Sequence, residues 1–138
     1  MITNNEEKSI ILYAEDDEDD QQLVKDHLLD YSSDIEIVIR DNGVDAVSYL
    51  NNLPESAPAP CLIILDVNMP KMNGIEALKQ IRKNKRYAKT PAILFTTSSQ
   101  LQDKNFATQY NAGFITKPID STQMKRIAEK FLEHCERK

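Results

Sequence analysis

Short apolar blocks alternate with polar, helix-patterned stretches along the whole chain. Ile10-Ile11-Leu12-Tyr13-Ala14 is followed by Glu15-Asp16-Asp17, and Cys61-Leu62-Ile63-Ile64-Leu65 by Asp66. Ala92-Ile93-Leu94-Phe95 runs into Thr96-Thr97-Ser98, and Gly113-Phe114-Ile115-Thr116 into Lys117-Pro118. The run 61–65, this short and this apolar, reads as a strand buried on both faces, and the other three read as strands. Residues 34–40 instead alternate with a period of two, which predicts a strand with one open face at a sheet edge. Pro91 is tolerated as the first residue of a strand over 91–95. The intervening stretches follow a helical period. Residues 19–30 place Leu23, Val24, His27 and Leu28 on one face. After a turn at Asn42-Gly43, a short helix carries Ala46, Val47 and Leu50. Residues 74–83 turn Ile75, Leu78 and Ile81 inward, and 100–110 form a weaker helix. The clearest period is in 121–136, through Met124, Ile127, Ala128, Phe131, Leu132 and Cys135, with Asp120 and Gln123 as a capping box. The proline-rich stretch 53–60 and the basic stretch 84–90 read as surface loops.

Strand–helix alternation with short, right-handed connections predicts a doubly wound parallel α/β sheet. An edge position for the second strand gives the flavodoxin-like order 2-1-3-4-5, with five strands and five helices. The order reverses between strands one and three. Ligands of such sheets bind at that point, beyond the carboxyl ends of the strands.

The 138 residues fit a single domain, with a core over about 9–136 and an N-terminal extension over 1–8. No apolar stretch is long enough for a membrane helix, and the N-terminus lacks a secretory pattern, so a cytoplasmic location is expected. The net charge of −5 argues against nucleic-acid binding. Cys61 and Cys135 give no sign of a disulfide framework or zinc site, and His27 and His134 are too scattered for a metal cluster.

Four strand ends therefore contribute Glu15, Asp16, Asp66, Thr96 and Lys117 to one edge. Clustered carboxylate oxygens are hard ligands that suit Mg2+. A cation there relieves their repulsion and neutralises an incoming phosphoryl group. Asp66 has the chemistry of a phosphoryl nucleophile, Lys117 that of a fixed positive charge, and Thr96 that of a hydrogen-bond donor. Taken singly, each residue has a plainer role. Asp17, Glu18, Asp19 and Asp20 complement the dipole of the helix that follows them, and Met69 and Met72 can be packing. Joint placement at separate strand ends favours a site. A cis bond at Lys117-Pro118 is one way to aim the lysine inward.

The blocks Ile11 to Asp17, Leu65 to Gly74, Pro91 to Thr97 and Phe114 to Pro118, in this order, resemble the receiver domain of two-component response regulators, of the single-domain chemotaxis type. The resemblance covers about 9–136. It implies that Asp66 is the phosphoacceptor. Asp16 would be a direct Mg2+ ligand, Glu15 a water-mediated one, and the backbone carbonyl of Asn68 a third. Thr96 and Phe114 would be the switch pair and Lys117 the phosphate partner. The implied donor is a sensor histidine kinase or a histidine phosphotransfer protein. The implied output is an unidentified protein target read by helix 4, strand 5 and helix 5, over about 100–136, with no nucleic acid or membrane involved. Such a stand-alone switch is an enzyme only toward its own phosphotransfer and autodephosphorylation. Thr97 departs from the family's usual Ala or Gly, and Phe114 from its frequent Tyr. Asn68 and Ser98 occupy positions that influence phosphoryl lifetime. The loops at 51–60 and 84–90 are long for the family and could serve a particular partner. A constitutive pseudo-receiver would not need the acid–Thr–Lys set. A haloacid-type phosphatase would want an acid at position 68.

Overall fold

In the computed structural model, residues 8–32, 34–97, 100–118 and 120–135 are described. The expected extension thus lies outside them except for Lys8, and so does Ser98. Five parallel strands form one sheet in the order β2-β1-β3-β4-β5. They are β1 Ser9–Ala14, β2 Ile35–Arg40, β3 Leu62–Leu65, β4 Ala92–Thr96 and β5 Gly113–Thr116. The connecting helices are α1 Glu18–Tyr31, α2 Gly43–Asn52, α3 Gly74–Lys83, α4 Leu101–Gln109 and α5 Ser121–Glu133, with a 3₁₀ turn at Lys85–Tyr87.

Alternate side chains of the central strands feed two cores. Leu12, Ala14, Ile63, Leu65 and Leu94 pack with α2, α3 and α4. Ile11, Tyr13, Leu62, Ile64, Ile93 and Phe95 pack with α1 and α5, where the Phe95 and Phe131 rings meet edge-on at 5.3 Å. The fully apolar runs are thereby explained: β3 and β4 are buried along their whole length. The edge strand β2 is less open than its alternation implies. Ile37 and Ile39 lean on one core, while Val38 leans on the other. Arg40 stacks over the Tyr49 ring at 4.9 Å.

Several local expectations change. Leu23 is 37% exposed, and Val24 and Leu28 are the residues that α1 buries. Asn42-Gly43 is not a free turn. Asn42 caps α2 by accepting from the Asp45 amide, and Gly43 begins the helix. A full capping box lies also at Asn73 and Glu76, while at the start of α5 Asp120 accepts from the Gln123 amide as expected. No peptide bond among the described residues is cis, so Lys117 is aimed without one.

The two cysteines are a further correction. Cys61 and Cys135 are joined by a disulfide, with 5.2 Å between their Cα atoms. One precedes β3 and the other follows α5, 74 residues later. The topology brings both to the sheet's amino edge, which spacing alone does not reveal. The loops at 51–60 and 84–90 lie at the same edge and brace each other. The Arg86 guanidinium donates to the Leu53 and Ala57 carbonyls at 2.9 and 2.6 Å, and Asn84 donates to Asn51. The buried Tyr87 hydroxyl donates to the Leu50 carbonyl at 2.7 Å.

Candidate functional site

At the opposite, carboxyl edge, parallel pairing sets the position of each acid. The Glu15 amide donates to the Arg40 carbonyl, and the Asp66 amide to the Ala14 carbonyl. Glu15 and Asp66 therefore sit one step past neighbouring strands, only 1% and 6% exposed. Asp16 is exposed beside them. One ligand oxygen each from Glu15, Asp16 and Asp66 lies within 4.8 Å of the others. This hard-donor cluster, with more negative charge than its surroundings neutralise, fits a divalent cation. Asn68 lies in the exposed turn two residues beyond Asp66.

The β3–α3 turn is closely folded. Gly74 donates from its amide to the Val67 carbonyl at 3.0 Å, and a Cβ at position 74 would sit 2.0 Å from the Asp66 carbonyl oxygen. Gly74 is thus required for the turn that carries Asp66. Gly43 permits a similar close approach at the start of α2, where a Cβ would meet the Met72 carbonyl oxygen at 2.3 Å. Lys71 takes a positive φ of 67° in this turn, a conformation rarely adopted by side-chain-bearing residues.

Lys117 enters from the end of β5, where its amide donates to the Thr96 carbonyl. Its ammonium donates to Glu15 Oε1 at 2.5 Å, Asp20 Oδ2 at 2.7 Å and Asp66 Oδ2 at 3.3 Å. Glu15 also accepts from the Tyr13 hydroxyl and, through Oε2, from the Asp17 amide. Burial drives the Glu15 carboxyl from its ordinary 4.5 up to about 7; Lys117 pulls the other way and the Asp66 charge adds to the rise. Burial alone would depress Lys117, but its hydrogen bonds to Asp20 and Glu15, with the charge of Asp66, hold the ammonium above its usual range. Burial, then Glu15, push the Tyr13 phenol up, so it stays a neutral donor.

Thr96 ends β4 inside the sheet edge, fully buried, while Thr97 is exposed next to it. Phe114 is half-buried against the core beneath α4.

A profile of the response regulator receiver domain matches residues 11–129. The chain belongs to the response regulator receiver family. Response regulator Rcp1 of Synechocystis sp. is 34% identical over 84 residues, 59% of this chain and 57% of that one. For two further curated relatives the matched share is 46% and 43% of their length, so the chain spans about half the length of these three relatives. Among solved structures, the phosphorylated cyanobacterial phytochrome response regulator RcpA superposes with a TM-score of 0.83 at 28% identity, over 91% of this chain and 92% of that one. The Mn2+-bound form of Rcp1 gives 0.79 at 29%, with the same coverage. Receiver domains are signalling switches, and they generally take phosphoryl groups from kinases or phosphotransfer proteins. The Mn2+-bound relative and the acidic cluster together point to divalent-metal binding.

Glu15, Asp16, Asp66 and Lys117 lie together at the edge where the strand-end pattern puts them, but that pattern leaves two neighbours out. Asp20 reads from the sequence as a helix-dipole residue, yet it touches Lys117. Gln21 donates through Nε2 to the Glu15 carbonyl at 2.5 Å and also reaches Asp41. Both lie in the first turn or so of α1, where side chains slant back toward the helix start. That slant, starting from a helix capped by Asp17 beside Glu15, is the signal that could have found them.

Proposed function

We propose that this receiver, over residues 1–138, takes a phosphoryl group on Asp66 from a histidine kinase or histidine phosphotransfer protein, and with it changes a protein-binding face. The observation that carries the reading is the Lys117 ammonium in contact with Asp66 beside the Glu15–Asp16–Asp66 cluster. Glu15, Asp16, Asp66 and the Asn68 carbonyl are the candidate holders of Mg2+. When bound, the ion neutralises charge on the incoming phosphoryl oxygens.

Asp66 supplies the attacking oxygen. Its burial excludes bulk water, and Lys117 stands ready for a phosphoryl oxygen. In this reading the hydroxyl of the buried Thr96 turns toward a phosphoryl oxygen. Phe114, half-buried on the neighbouring strand, then follows into the vacated space. The change then reaches α4, β5 and α5 as a shift between two populated states. The downstream target is a protein rather than nucleic acid, consistent with the acidic net charge. A cytoplasmic location fits a kinase donor, and no helix among the described residues is long and apolar enough to cross a membrane.

Beryllofluoride, a phosphoryl mimic, tests the reading. Added with Mg2+, it should shift the amide resonances of Asp66, Thr96, Phe114 and α4 in the wild type. It should leave Asp66→Asn unmoved. Identical spectra with and without the mimic in the wild type would refute the phosphoacceptor role.

A further inference from the structure

Lys117 has three ammonium protons and three carboxylate partners. Two of those partners, Glu15 and Asp66, belong to the cluster that suits a divalent cation; Asp20 does not. Asp20 is also the closer acceptor, at 2.7 Å against 3.3 Å for Asp66. A divalent cation and an ammonium cannot both neutralise the same few oxygens without repelling each other. When Glu15 and Asp66 turn to a cation, Lys117 loses two acceptors and keeps one. Asp20 comes from a different element, the first turn of α1, and its side chain is 35% exposed. A partly exposed pair of this kind is weak and easily exchanged.

We propose that Asp20 is a parking carboxylate for Lys117. It holds the ammonium at the rim of the pocket while a divalent cation occupies Glu15, Asp16 and Asp66. It releases the ammonium when a phosphoryl group on Asp66 offers denser negative charge. Asp20 is a positioning residue: it acts through Lys117 and touches neither metal nor phosphoryl group. The inference rests on the phosphoacceptor reading above and adds to it a residue with opposite effects on the two ligands.

Asp20→Asn tests it. With its parking place gone, Lys117 turns to Glu15 and Asp66 and competes with the metal. Calorimetric titration should therefore show Mg2+ binding weakened roughly fivefold, the scale of one charged hydrogen bond partly open to water. At saturating Mg2+, beryllofluoride followed by fluorine resonance should bind roughly fivefold more tightly, because Lys117 no longer has to leave Asp20. Simple loss of a nearby charge would give the same signs, so the Mg2+ titration is repeated in a Lys117→Ala background at high salt. There the Asp20→Asn effect should vanish. An undiminished effect in that background overturns the proposal, as does a parallel fall or no change in both affinities. Wild-type protein that takes up Mg2+ but no beryllofluoride would instead remove the phosphoacceptor reading, and the parking role with it.

Discussion

Three carboxylates, from Glu15, Asp20 and Asp66, surround one ammonium, and Asp16 lies beside Glu15 and Asp66. Without a cation the pocket is a site of excess negative charge, and Glu15 is its most buried member. Its folded-state pKa of about 7 lies above the ordinary 4.5, so folding takes up a proton between those values. The sign follows. Stability linked to Glu15 is greatest below about 4.5 and is lost as pH rises through about 7. In chelator-treated protein at pH 8, Glu15→Gln should therefore raise stability, by about 1–2 kcal/mol, read from urea unfolding. A loss of stability would mean that the Lys117 pair outweighs burial. The acids at the strand ends are legible in the sequence because they follow short apolar runs that read as strands. Asp20 is not, because an acid in a helix's first turn has an ordinary explanation in the dipole. Its second role depends on where β5 delivers Lys117.

Among the helices, α4 is the least anchored. Only Ala107 on it is buried, and Leu101 is 70% exposed. Its weak periodicity in the sequence has the same cause: there is little apolar face to bury. An element so placed, on the proposed output face, opens at low free energy. Hydrogen exchange should find α4 amides the least protected of the helices, and beryllofluoride with Mg2+ should slow them; α4 exchange as slow as α3 would contradict this. At the other end of the sheet the long loops are already occupied with each other. Arg86→Ala removes a guanidinium bonded to two backbone carbonyls and should cost about 1–3 kcal/mol in thermal or urea unfolding. Those loops lie away from Asp66, so its phosphoryl uptake should be unchanged.

For the molecule as a whole, strand order is readable because only β2 alternates, and an alternating strand belongs at an edge. Leu23 shows the limit of such reading, since a helical period names a stripe wider than the surface that α1 buries. The disulfide shows a deeper limit. Cys61 and Cys135 meet only once β3 and α5 are placed by the fold. Closing a chain separation of 74 residues removes unfolded-state freedom worth about 4 kcal/mol in the chain-entropy account. Unfolding in reductant should therefore show a clearly lower urea midpoint, and native protein without reductant should show no reactive thiols. Two titratable thiols and an unchanged midpoint would contradict the bond. The bond ties α5 to the sheet at the end far from the carboxyl edge, where phosphoryl chemistry at Asp66 is proposed.

The most direct test of that chemistry is peptide-mapped mass spectrometry after incubation with acetyl phosphate and Mg2+. One phosphoryl group should appear on the peptide containing Asp66. It should be absent with chelator and strongly reduced in Asp16→Asn and Lys117→Ala. An unmodified Asp66 in the wild type, or modification indifferent to metal, Asp16 and Lys117, would contradict the account.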